Sequence, residues 1–249
     1  MHSELLRIGP LVIHSYGVML ALAFLAGIVW ARREARAADI PPDWMLDASV
    51  YVIILSILFS RLFYVAFDFH YYIRHPIEIF GVQMGGLSIH GGVAGGALGI
   101  IYFARRHKVG VFKFGELTIP SLALGTAIGR IGCFLNGCCY GKPTNLPWAI
   151  ALTELHDGIR RHPTQLYESA LSLLLFFVLL YLKRYRRKDG DLFAFYLMGY
   201  GVVRIIVEFF RAGASSEIGW LGFTYAQWLS VAMIVAGAVL CRWKPKKRT

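Results

Sequence analysis

Apolar stretches of about 20 residues recur along this chain, and they leave it few structures to choose from. In a lipid environment every backbone N–H and C=O must be paired within the protein, so only helices and closed barrels can cross. The stretches are helix-length rather than strand-length. They run roughly Leu11–Ala31, Leu46–Phe67, Met84–Ala104, Leu117–Cys139, Leu166–Leu182, Leu192–Phe210 and Tyr225–Cys241. Composition agrees: 57% of residues are hydrophobic and 16% are charged, against about 25% charged in a soluble domain. The expectation is an all-α polytopic membrane protein with seven transmembrane helices, forming one domain over 1–249. The third and fourth stretches are rich in glycine and polar groups. They are expected to be partly irregular, buried in protein or lining a cavity. The opening "MHSELLRIGP" lacks a basic n-region, so no cleavable signal peptide is expected.

The connections alternate in basicity. "RREARAAD", "RRHKVGVFK", "KRYRRKD" and "RWKPKKRT" hold most of the 26 Lys and Arg residues. The alternate connections hold only Arg7, Arg74, Lys142, Arg160, Arg161 and Arg211. Basic residues stay on the cytoplasmic side. That rule puts the N-terminus outside and the C-terminus in the cytoplasm. Loops 68–83, 140–165 and 211–224 then form a small external head. The same clustering beside apolar spans accounts for the net charge of +11 without a nucleic-acid partner.

Arg61, Arg130 and Arg204 remain inside the apolar spans. A mid-membrane arginine costs about 2.5–3.5 kcal/mol on insertion scales, so each needs a partner, a wet cavity or a function. In "YGVVRIIVEFFR", Arg204, Glu208 and Arg211 are spaced i, i+4, i+7 and fall on one helix face. They read either as an ion-paired stripe or as an anion site in which Glu208 holds the arginines and leaves donors free. Arg130 lies in the outer half of span four, flanked by Gly129 and Gly132. It reads as a snorkelling residue or as a second arginine on a shared anion, most simply a phospholipid head group. In "MGGLSIHGGVAGGALG" the overlapping GxxxG pairs indicate close helix packing. They do not account for His90, which is either a hydrogen-bonded structural residue or a general base. His14 and Tyr16 lie early in span one, where an interfacial belt explains them. Glu168 reads as a helix-start carboxylate favoured by the macrodipole, and Glu116 as an interfacial residue.

"GRIGCFLNGCCYG" (129–141) adds three cysteines. C-x4-C-C is not a standard zinc spacing, and the nearest histidines are His156 and His162. No metal site is expected. Cys133 and Cys138 are poorly placed for a disulfide unless the helix ends near Asn136, which "NG" permits. Buried free cysteines are by default small apolar filler. The chain has no G-x-S-x-G elbow, H-E-x-x-H pair or P-loop.

Together, "HSYG" (14–17), "SIHGG" (88–92), "GRIGCFLNGCCYG", "RHPTQLYE" (161–168) and "VRIIVEFFR" (203–211) resemble the motifs of the bacterial prolipoprotein diacylglyceryl transferase family, in order and over nearly the whole chain. The resemblance implies an inner-membrane enzyme with its active site toward the outer face. It implies transfer of the diacylglyceryl group of phosphatidylglycerol to the lipobox cysteine thiol of a preprolipoprotein. Glycerol phosphate is released, and no cofactor is required. It assigns His90, Arg130, Arg204 and Tyr16 to catalysis, His90 as the base. It assigns Arg130, Arg204, Asn136, Gly141, His14, Glu208 and Arg211 to phosphatidylglycerol binding. Glu116 falls where the family usually has aspartate. The family signature reads roughly G-R-x-G-N-F-x-N-x-E-x-x-G, so Cys133 replaces an Asn and Cys138 replaces a Glu, while Asn136 is kept.

The chemistry fits these residue types. The nucleophile is a substrate thiol, so the enzyme needs none of its own. A base or a positive field ionises a thiol, and arginines stabilise charge building on the departing phosphate. A transporter or channel for anionic lipids or solutes is the alternative that buried arginines and glycine-rich spans also fit. It predicts paired halves with interrupted spans, and no such pairing is visible. A redox or metal module on the three cysteines is a third reading.

Overall fold

A computed structural model describes residues 4–8, 11–81, 86–152, 157–212 and 222–243. The expected start of the third span at Met84, the histidine His156, the basic tail from Lys244, and parts of all three expected external loops lie outside the described residues. The chain forms two compact units, 1–30 with 118–249, and 31–117.

Helices dominate. They are α1 (Ser15–Ala37), α2 (Asp43–Phe67), α3 (Phe69–Arg74), α4 (Ile89–Arg106), α5 (Val111–Glu116), α6 (Ile119–Leu135), α7 (Thr164–Leu182), α8 (Asp191–Phe210) and α9 (Tyr225–Arg242). Among the described residues, two short antiparallel pairs accompany them: β1 (Glu4–Ile8) with β2 (Leu11–His14), and β3 (Ile150–Ala151) with β4 (Arg160–Arg161). The all-α expectation is therefore corrected to mostly helical. Among the described residues, six segments are long and apolar enough to cross a membrane: Ser15–Ala37, Asp43–Phe67, Val111–Leu135, Thr164–Tyr185, Asp191–Phe210 and Tyr225–Arg242. The makeup is that of a polytopic membrane protein. The 18-residue α4 is long enough but less apolar, because glycines and Arg105–Arg106 dilute it.

Three boundaries differ from the sequence expectation, each for a local reason. The first helix starts at Ser15 because residues 11–14 pair with β1. The fourth stretch is two helices separated at Leu117–Thr118. It ends at Leu135, because Gly137 takes a left-handed φ of 71°. The Gly137 N–H then bonds the Phe134 carbonyl at 3.2 Å, and the Cys138 N–H bonds that of Cys133 at 3.1 Å. This is the paired arrangement of a Schellman cap.

Burial runs opposite to that of a soluble protein. Ile54, Leu58, Phe67, Phe177 and Val239 are more than half exposed, whereas Glu168, Glu208, Ser172 and Ser230 are buried. Lipid satisfies the apolar outside, and the polar groups must find partners within. In the unit 1–30 with 118–249, Ile119, Ala123, Leu175, Phe176, Leu179 and Leu192 form the core, with Trp30 edge-on to Phe176 at 4.8 Å between centroids. In the unit 31–117, Phe103, Phe114, Met45 and Ala48 pack with Ala35 and Ile40.

Within that second unit, α4 lies backbone-to-backbone on α2. A Cβ at Gly91 or Gly95 would fall on the carbonyl oxygens of Phe59 and Leu55, and one at Gly99 would lie 3.0 Å from Val52 Cα. Gly92 on the neighbouring face has ordinary clearance of 3.9 Å or more. Arg61 is spent on the segment leading to α4. Its Nε donates to Ile79 O at 2.8 Å, Nη1 to Gly86 O at 3.0 Å, and Nη2 to Glu78 O. Of the three arginines in the apolar spans, this one is structural. Gly95→Ala should lower the thermal midpoint in detergent by about 5 °C through overpacking, and Gly92→Ala should not. Equal midpoints would contradict the close contact.

Candidate functional site

The arginine-rich site lies in the unit 1–30 with 118–249 and centres on Glu168, in the second turn of α7. Its carboxylate is buried, 1% exposed. Oε1 accepts from Arg130 Nη2 at 2.9 Å and from the Tyr200 hydroxyl at 3.1 Å. Oε2 faces Arg204 Nη1 and Arg211 Nη1, each at 3.7 Å. Glu208 holds the other side, with Oε2 at 3.0 Å from Arg204 Nη2 and Oε1 accepting from the Thr224 hydroxyl at 3.3 Å. Among the described residues, three guanidinium groups thus face two buried carboxylates, an excess of positive charge in a site of low dielectric.

The sequence produces this convergence by helix periodicity. Tyr200, Arg204 and Glu208 are four residues apart on α8 and share a face. Arg211 does not continue that face, because the helix ends at Phe210 and Arg211 is extended with ψ 150°. It reaches Glu168 from the loop instead. Arg130 on α6 meets Glu168 because the start of α7 is fastened to the end of α6. The Thr164 hydroxyl donates to Cys139 O at 2.9 Å, Gln165 Nε2 to Cys138 O at 2.7 Å, and the Ser169 hydroxyl to Ala127 O at 2.7 Å. α9 opens with a capping box on Thr224 and Gln227, so the residue that starts α9 also steadies Glu208.

The ion pairing is incomplete. Among the described residues, Arg204 Nη1 and Glu168 Oε2, 3.7 Å apart, are buried without a hydrogen bond, and Glu208 Oε2 has its ion pair with Arg204 but no aligned hydrogen bond. Buried polar atoms are normally satisfied, and a guanidinium donor left over among arginines is what an anion would take up.

Gly141 contributes by fit rather than by contact with a ligand. A Cβ there would lie 2.6 Å from both His162 Cβ and Phe210 O. Its N–H donates to His162 O at 3.0 Å, and the Lys142 N–H to Phe210 O at 2.8 Å. Three chain segments cross at this residue, and together they place Arg211. Asn136 is the C-cap of α6. Tyr16 on α1 is 42% exposed. Its Cδ2 would lie 3.4 Å from a Cβ on Gly132, and it shares the electrostatic neighbourhood of Arg130 and Cys133. Gly129, by contrast, has open space where a side chain would go. His14 is exposed at the end of β2. His90 is exposed at the start of α4 and belongs to the unit 31–117, as does the buried Glu116.

The three cysteines come together beside the arginines. The Sγ atoms of Cys133, Cys138 and Cys139 lie within 4.8 Å of one another, and all three are free. Interaction with the Cys133 and Cys138 thiols pushes the Cys139 thiol below the usual thiol range, and the Arg211 and Arg130 charges reinforce the shift.

Sequence reasoning missed Glu168 as the hub, together with Tyr200, Thr164, Gln165 and Thr224. The i−4 spacing of Tyr200 from Arg204 and the motif "RHPTQLYE", which holds Thr164, Gln165 and Glu168, were the available signals. Removing the hub carboxylate leaves buried guanidiniums uncompensated. Glu168→Ala should therefore cost about 3–5 kcal/mol, seen as a large fall in thermal midpoint. An unchanged midpoint would contradict the hub role.

A sequence model of the family described as prolipoprotein diacylglyceryl transferase matches residues 3–243. Among curated relatives, the phosphatidylglycerol–prolipoprotein diacylglyceryl transferase of Bordetella parapertussis is 38% identical over 242 residues, covering 94% of this chain and 92% of its own. Its namesake in Synechococcus elongatus is 38% identical over 251 residues, covering 96% and 86%. The one in Clostridium tetani is 35% identical over 240 residues, covering 95% of both. Identity at this level along almost the full length of both chains, with the motif arginines gathered on one buried carboxylate, settles the relationship: this chain belongs to the prolipoprotein diacylglyceryl transferase family.

Proposed function

We propose that this chain transfers the diacylglyceryl group of phosphatidylglycerol to the lipobox cysteine thiol of a preprolipoprotein, forming a thioether and releasing glycerol phosphate. The observation that carries the reading is the incompletely paired arginine cluster. Arg130, Arg204 and Arg211 surround Glu168, and a buried Arg204 donor has no hydrogen-bond partner. A lipid phosphate supplies the oxygens that would complete it.

The roles follow from chemistry. Arg130 and Arg204 bind the phosphate and stabilise the charge that builds as the glyceryl C–O bond breaks. Glu168 and Glu208 hold the arginines in place. Arg211, Asn136, Gly141 and His14 shape the lipid site, with Tyr16 at its edge. His90 accepts the thiol proton as the sulfur attacks the glyceryl carbon. The chain lies in a bacterial inner membrane with its N-terminus and active site outward. The basic segments at the C-terminal ends of α1, α4 and α7 support that orientation, and α4 serves as the seventh span. The substrates reach the site from the surrounding lipid.

The test is to incubate the purified protein with labelled phosphatidylglycerol and a lipobox peptide, with a Cys→Ser peptide as control. A thioether-linked diacylglyceryl peptide is expected. Arg204→Lys should reduce transfer by about 100-fold, because a point charge does not replace a bidentate donor. His90→Ala should reduce it by about 100-fold or more. Absence of product from the wild-type chain would overturn the assignment. Wild-type rates in Arg204→Lys would overturn the phosphate role, and in His90→Ala the base role.

A further inference from the structure

Cys133, Cys138 and Cys139 stand outside the roles given above, yet the fold gathers their thiols beside the arginines. Backbone geometry does this. The Schellman cap sets Cys133 and Cys138 at the two positions whose side chains meet across such a cap, and the Cys138 sulfur lies 3.6 Å from Cys133 O. Cys139 follows with a left-handed φ of 64°, a conformation uncommon for a residue with a side chain. The three Sγ atoms fall within 4.8 Å of one another. Buried Thr164 and Gln165 hold the carbonyls of Cys139 and Cys138. All three cysteines are half-buried, so they are open to a small thiol reagent. Cys133 lies three residues past Arg130 on α6, and the two share a face. The next residues run antiparallel to Arg211: the Ala212 N–H donates to Tyr140 O at 3.2 Å, and Gly141 pairs with Arg211.

We propose that Cys133 and Cys139 close a reversible disulfide, and that closing it frees Arg130 and Arg211 for an anion. Three sulfurs offer three pairings. Covalent geometry disfavours Cys138 with Cys139, because adjacent Cα atoms lie about 3.8 Å apart and a disulfide ordinarily spans about 4.4 Å or more. Between the other two pairings the reactive thiol decides. Cys133 and Cys138 pull the Cys139 thiol below the usual thiol range, and the Arg211 and Arg130 charges add to the shift. Cys139 is therefore the thiolate near neutral pH, which is the attacking form in thiol–disulfide exchange. In the reduced chain that thiolate offsets part of the charge of Arg130 and Arg211. A disulfide is neutral and does not.

The oxidant is an organic disulfide. The Cys139 thiolate attacks one of its sulfurs, the S–S bond breaks, and one thiolate leaves. Cys139 then carries a mixed disulfide. The Cys133 sulfur attacks the Cys139 sulfur and expels the second thiol, which takes the Cys133 proton. Two thiols of the chain are oxidised and one external disulfide is reduced to two thiols. A dithiol reductant reverses the exchange. This inference rests on reading the arginines as a lipid-phosphate site. The cysteines take no part in the transfer step, and His90 keeps the substrate thiol proton.

The test uses the full chain with Cys241→Ser in phosphatidylcholine nanodiscs, treated with oxidised glutathione or with dithiothreitol. Mass spectrometry should map a Cys133–Cys139 bridge after oxidation, and Cys138→Ser should keep it. Cys133→Ser should stop at a glutathione adduct on Cys139. Cys139→Ser should slow oxidation of the remaining pair by about tenfold or more. Bridge formation should lower the dissociation constant of phosphatidylglycerol by about threefold or more, in the Cys241→Ser chain and with Cys138→Ser alike, and leave neutral diacylglycerol unchanged. No bridge, or a Cys133–Cys138 bridge, overturns the proposal. Equal phosphatidylglycerol affinity in the two states, tighter than that of diacylglycerol, overturns it and leaves the phosphate reading standing. No preference for phosphatidylglycerol in either state overturns both.

Discussion

A single buried carboxylate organises the unit formed by residues 1–30 and 118–249. Glu168 draws Arg130 from α6, Tyr200 and Arg204 from α8, and Arg211 from the loop beyond α8 onto its two oxygens. In a low-dielectric setting none of these charges could be left alone. The helices therefore have to meet where the carboxylate is, and Thr164, Gln165 and Ser169 fasten α7 to α6 so that they do. Among the described residues guanidinium then exceeds carboxylate, and the proposed anion site rests on that surplus.

The same economy explains why the arginines in the spans divide. Arg61 donates from each of its three nitrogens to the carbonyls of Glu78, Ile79 and Gly86 and holds the approach to α4. Arg204 keeps a donor in reserve. Sequence alone presents both as arginines in an apolar run. Only the partners distinguish the two.

Most helices were legible in the sequence because lipid makes length and apolarity decisive. The glycine spacing on α4 was likewise legible, since close approach to α2 excludes a Cβ. The site was legible in part. Arg204 and Glu208 follow from helix spacing, whereas Arg211 reaches the site through a chain that has already left the helix. Glu168 looked like a helix-start carboxylate because its partners are 32 or more positions away in sequence. The thiol trio was hidden for a similar reason: it depends on left-handed residues at 137 and 139 and on anchors from α7. The strand that replaces the start of the first expected span is apolar too, so composition could not separate it from helix.

The central claim is that the arginines on Glu168 hold a lipid phosphate. The direct measurement is the dissociation constant of phosphatidylglycerol in phosphatidylcholine nanodiscs, for wild type and Arg204→Gln, with neutral diacylglycerol as reference. The loss of a charge-assisted hydrogen bond should weaken phosphatidylglycerol binding by about tenfold or more while leaving diacylglycerol unchanged. Equal phosphatidylglycerol affinity in the two proteins would contradict the account.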